Sequence, residues 1–140
     1  MNDIDSLLVS AMEMASEMLK KFSEFHPFGI AVNSKGEIEF VQSAPGASLE
    51  DDPIPEEIIQ ALCDFFKADK ANKWQLFGIV LNVTVSYDST KLDALSVTIQ
   101  GQKDRKAAAF VIPYAIESGH VIFTDKVELP ASFNILDVSR

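Results

Sequence analysis

The side chains able to carry acid–base or nucleophilic chemistry are few and scattered: His26, Cys63, Tyr87 and His120. A pocket between helices and sheet on which His26, Tyr87 and His120 converge would bind or transform a small molecule. Cys63 would need a histidine beside it to act as a nucleophile. It lies instead in Leu62-Cys63-Asp64, inside an apolar helical stretch, the setting of a packed structural thiol. His26 precedes Pro27 at a helix end, where a protonated ring complements the helix dipole. A zinc site takes about four ligands, and one cysteine with two histidines far apart in the chain does not supply them. No P-loop, dinucleotide fingerprint or nucleophile elbow occurs, so no metal and no cofactor is expected.

The second candidate site is electrostatic. Glu50, Asp51, Asp52, Glu56 and Glu57 gather ahead of and inside the first turn of an expected helix, where they would meet a basic protein surface. Acids there also stabilise the helix itself, by about 0.3–1 kcal/mol each. Their spacing does not follow the alternating ligands of an EF-hand loop. Residues 1–70 hold 14 acidic and 5 basic side chains and residues 71–140 hold 7 of each, so the net charge of −9 belongs to the first half. Such a lopsided field bears on partners more than on fold. The densest basic run, Lys103-Asp104-Arg105-Lys106, is too small to overcome phosphate repulsion, which argues against nucleic acid.

Those residues need elements to position them. Ile4, Leu7, Leu8, Ala11, Ala15, Met18, Leu19, Phe22 and Phe25 recur at spacings of three and four and predict one amphipathic helix. Met12 and Met14 lie at or beyond the border of that stripe and read as helix flank and core edge; the alternative is an adaptable contact surface made by their flexible thioethers. His26-Pro27 ends the helix. Phe28, Ile30 and Val32 then alternate with Gly29, Ala31 and Asn33, and Asn33-Ser34-Lys35-Gly36 supplies a turn into Ile38, Phe40 and Val41. Residues 43–55, with three prolines and a glycine, read as a loop. A second helix is expected from Pro55 to about Lys70, burying Ile58, Ile59, Leu62, Phe65 and Phe66.

The second half alternates with period two. A long strand is expected over Leu76–Tyr87, with Phe77, Ile79, Leu81, Val83 and Val85 as its apolar face. Leu95–Gln100, Ala108–Ile112 and Val121–Phe123 follow as strands, and Glu117-Ser118-Gly119-His120 as a turn; Pro113 would interrupt or end its strand. Short connections imply an antiparallel meander. The stretch from Val127 to Arg140 fits either a strand or a short helical turn. Residues 1–140 thus read as one α+β domain in the order α-β-β-α-β-β-β-β, a two-layer sandwich with both helices on one sheet face. The opposite face, with Asn82, Thr84, Ser86, Ser96, Thr98 and Gln100, is expected to be solvated.

Phe25-His26-Pro27-Phe28-Gly29, followed by Gly36-Glu37-Ile38, resembles a pattern in short bacterial proteins of uncharacterised role, over about the first 40 residues. That resemblance implies no activity. The order of elements is similar to that of small acidic binders such as immunity proteins and dimeric secretion chaperones, at the level of fold alone. One cysteine, no apolar run near the roughly 20 residues of a membrane span, and no cationic leader point to a cytoplasmic protein. The expected function is non-enzymatic binding of a protein with a basic surface. The alternatives are the small-molecule or catalytic pocket already described and a structural homodimer.

Overall fold

The computed structural model describes residues 3–22, 25–41, 55–68, 74–87, 89–101 and 108–130. Helix α1 spans Asp3–Phe22 and is followed by strands β1 (Phe28–Asn33) and β2 (Ile38–Val41), then helix α2 (Pro55–Lys67). Strands β3 (Trp74–Tyr87), β4 (Thr90–Gly101), β5 (Ala108–Glu117), β6 (His120–Phe123) and β7 (Val127–Pro130) complete an α+β sandwich in the expected order of elements. All strand pairs are antiparallel, in the order β2-β1-β3-β4-β5-β6, with β7 also paired to β5. Among the described residues no helix is long and apolar enough to cross a membrane.

Local chemistry explains the turns. Asn33 Oδ1 accepts from the backbone N–H of Lys35 (2.9 Å) and Glu37 (3.0 Å), and Gly36 takes the φ of +83° that closes the loop. Ser118 and Gly119 both have positive φ, the two-residue hairpin geometry that matches strand twist.

The two helices divide between the two faces of the sheet, which corrects the expectation that both pack on one. Side chains alternate along β1: Phe28, Ile30 and Val32 join Leu7, Leu8, Ala11, Ala15 and Leu19 of α1 in one buried cluster. Ala31, one position out of phase, joins Ile58, Leu62, Cys63 and Phe66 of α2 in the other, together with Trp74, Phe77 and Ile79. β1 is apolar on both faces, so both must be covered. Gly29 helps admit α2: a Cβ there would lie 3.1 Å from Val41 Cβ and 3.3 Å from both Leu62 Cδ2 and Phe66 Cζ.

Register corrects the expected polar face in the same way. Leu81 pairs with Ser96 and Asn82 with Leu95, so Asn82, Thr84 and Ser86 share the α1 side, whereas Ser96, Thr98 and Gln100 lie on the α2 side. Thr98 and Gln100 are buried, not solvated. Asn82 accepts a 2.6 Å hydrogen bond from the Tyr114 hydroxyl, linking β3 to β5 across β4. Phe22 and Phe65, expected in the core, are 69% and 47% exposed. Phe22 is the last residue of α1, and Phe65 lies on the outer flank of α2, its ring against Phe66 and Trp74.

β5 continues through Pro113, contrary to the expected interruption. From Tyr114↔Phe123 to Val111↔Val127, β5 advances by two intervening residues and its neighbour by three, so β6 and β7 form one edge strand with a bulge at Thr124–Lys126. The nitrogen and carbonyl of a strand residue point to the same edge, and the Pro113 carbonyl accepts from Thr124 N–H at 2.9 Å. The missing Pro113 donor therefore falls at the bulge, where the ladder is already broken.

Candidate functional site

The residues expected to form a catalytic pocket are not gathered by the fold. His26 is exposed just ahead of β1, and His120 is exposed in the β5–β6 turn. Four strand intervals separate β1 from β6, roughly 19 Å at the usual spacing. Tyr87 ends β3, where its backbone pairs with Thr90; its side chain lies outside the described part of the structure. Among the described residues no group of three His, Cys, Asp or Glu side chains could hold a metal ion.

Cys63 is fully buried in α2, in the cluster that meets β1 and β3. Burial pushes its thiol from 9.0 up to about 11, with Lys67 opposing the shift and Asp64 adding to it. At pH 8 the thiolate is then about a hundredfold scarcer than at the ordinary value. Labelling by a thiol reagent at that pH is expected to be at least that much slower in the native protein than in urea, and equal rates would refute the buried placement. The proton is held more tightly in the folded state, so this group's contribution to stability is complete below pH 9 and is lost as pH rises towards about 11.

Of the expected acidic site, Glu56 and Glu57 are exposed in the first turn of α2, where they favour the helix dipole. Glu50, Asp51 and Asp52 lie outside the described residues.

A concave surface occurs elsewhere, along the flank of α1 that faces β6 and the bulge. One hollow of about 560 Å³ is lined by Val9, Met12, Glu13, Ser16, Glu17, Lys20 and Phe123. An adjoining one of about 480 Å³ shares Val9 and Met12 and adds Asp5, Leu8, Ile112, Thr124, Asp125 and Lys126. Both open broadly to solvent, so together they form a groove rather than an enclosed cavity. Its position follows from the α1 stripe: Leu8, Ala11, Ala15 and Leu19 point into the sheet, leaving Val9, Glu13 and Glu17 on the outer flank. Val9 is 43% exposed, an apolar side chain left facing water. At one end the Lys126 ammonium lies 3.3 Å from Asp5 Oδ1 and ties the bulge to the first turn of α1. Such an exposed pair contributes roughly 0–1 kcal/mol, so it orients more than it stabilises.

Chemically, this groove holds carboxylates, two ammonium groups, two hydroxyls, a thioether and hydrocarbon, with no histidine or thiol and hence no strong nucleophile. It can bind, by apolar contact and charge. Sequence reasoning missed Val9, Glu13, Glu17 and Phe123 as a group; the available signal was the pair Met12 and Met14 at or beyond the border of the apolar stripe, of which Met12 lines the groove. No family model, curated protein or solved structure matches this chain.

Proposed function

We propose that this chain is a non-enzymatic protein-binding module whose acidic surface draws a partner with a basic surface, in the manner of an immunity protein or a secretion chaperone. The observation that carries the reading is the groove on α1, whose lining combines the apolar Val9, Met12 and Phe123 with the exposed carboxylates of Glu13 and Glu17 and the ammonium of Lys20. A net charge of −9 adds long-range steering of a cationic partner, screened beyond about 10 Å at 0.1 M salt. Glu56 and Glu57 extend that field from α2, on the opposite face of the sheet, and Glu50, Asp51 and Asp52 add three charges to it. The reading places the protein in the cytoplasm, where Cys63 stays a free thiol.

The test is affinity capture on the immobilised protein at about 0.05 M and about 0.5 M salt, the retained protein being identified by mass spectrometry. Its association rate is then measured against wild type and against a variant carrying Glu50→Ser, Asp51→Ser and Asp52→Ser. The variant is expected to associate about tenfold more slowly at low salt, and the difference to vanish at high salt. Equal rates at low salt would remove the steering role of that cluster. A wild-type protein that retains nothing in a salt-sensitive manner would overturn the whole reading.

A further inference from the structure

We infer that the groove between α1 and β6 seats a cationic amphipathic helix of the partner, a statement that rests on the protein-binding reading and names its site and chemistry. Shape is the first argument. The groove follows α1 from Asp5 to Lys20, which at 1.5 Å per residue is roughly 22 Å, or about four helical turns. Among the described elements α1 is the only helix on this face of the sheet, and a second helix laid beside it at the usual 8–10 Å spacing would extend the same layer.

The floor is the second argument. Val9 and Met12 on α1 and Phe123 on β6 are the apolar side chains of the main hollow, which they share with Glu13, Ser16, Glu17 and Lys20. A thioether in the middle adapts to side chains of different shape, as a surface that receives an i, i+3, i+4, i+7 stripe requires.

Charge selects the occupant. Glu13 and Glu17 stand one turn apart on the exposed flank, and among the described residues neither has an ion pair or hydrogen bond. Like charges at that spacing repel each other, and a lysine or arginine placed between them removes the repulsion. Of the two cations in the lining, Lys126 is engaged by Asp5 and Lys20 stands at the other end, one turn beyond Glu17; against Asp5, Glu13, Glu17 and Asp125 they leave the groove net negative. An acidic helix would meet Glu13 and Glu17 with repulsion. A second copy of this chain would bring its own net charge of −9.

Two synthetic peptides of about 18 residues, with leucine on the apolar stripe and either lysine or glutamate on the polar face, test the inference by titration into nitrogen-labelled protein. The lysine peptide is expected to shift the amide resonances of Val9, Met12, Glu13 and Phe123, and the glutamate peptide to leave them in place. At about 0.5 M salt, where long-range steering is screened, the double variant Glu13→Lys/Glu17→Lys should weaken binding about tenfold, whereas Glu56→Lys/Glu57→Lys, an identical charge change on α2, should weaken it less than about twofold. Equal losses in the two variants would show diffuse attraction to an acidic protein and overturn the groove. So would lysine-peptide shifts centred away from α1, no binding at all, or concentration-dependent shifts of Val9 and Phe123 without peptide, the mark of a second copy seated there. Shifts centred on Glu56 and Glu57 would remove the groove while leaving the protein-binding reading intact; failure of salt-sensitive capture would remove that reading itself.

Discussion

Phe66→Ala is expected to cost about 3–5 kcal/mol of stability, a large part of the 5–15 kcal/mol typical of a domain. Phe66 is 1% exposed and makes three aromatic contacts, two of which join α2 to β3 and one of which lies within α2. Its ring stacks on Phe77 at 4.9 Å and 15°, meets Trp74 edge-on at 6.4 Å, and meets Phe65 at 5.5 Å. Truncation removes all three and opens a hole under α2, which cannot settle without dragging Leu62 and Ile58 out of register. Trp74 is the one tryptophan of the chain and is buried in this cluster, so its emission reports the loss directly. Urea unfolding followed by Trp74 emission and by far-UV circular dichroism should show a lower midpoint by both probes. An unchanged midpoint would mean that α2 does not dock on β1 and β3.

Leu95→Ala is expected to cost about 2–5 kcal/mol through the other face. Leu95 is fully buried on β4, paired with Asn82 on one side and Ile112 on the other, in the cluster roofed by α1. Its loss would also loosen the Tyr114–Asn82 hydrogen bond that passes beside it. Because the sheet separates the two clusters, small truncations on opposite faces should add. Ile58→Val and Ile112→Val are each expected to cost about 0.5–1.5 kcal/mol, and the double variant their sum within about 0.5 kcal/mol. A strongly non-additive double variant would place the two isoleucines in one core and contradict the division of helices between faces.

The period-two and period-3.6 patterns carried much of the fold. Leu7, Leu8, Ala11, Ala15 and Leu19 form the buried stripe of α1 as their spacing requires, and Asn33 and Gly36 close the β1–β2 turn through chemistry local to the chain. Element order was legible for the same reason: each signal spans only a few residues. The choice of face was not. Gly29 and Ala31 read as the weak side of β1, yet their small size helps make room for α2. Thr98 and Gln100 read as solvated and are buried, because the pairing of Leu81 with Ser96 sets them beside Ile79 and Phe77.

The candidate site shows the same divide. Glu56 and Glu57 were visible as acids at a helix start and are exposed there, while His26 and His120 gave no sign in the sequence of how many strands would part them. Met12, taken together with Met14, hinted at a contact surface. Its partner Phe123 lies over a hundred residues away, brought beside α1 only by the sheet order and the β5–β6 hairpin.

By itself, the sequence determined both helices, most of the strands, the turns at Asn33–Gly36 and Glu117–His120, and that the excess negative charge resides in the first half. Those properties follow from side-chain size, polarity and backbone preference within a few residues. Only the tertiary structure decided which face each helix covers and which distant side chains share a surface. Strand register sends a whole row to one face or the other, and it is set by long-range pairing and by the space that Gly29 and Ala31 leave for α2.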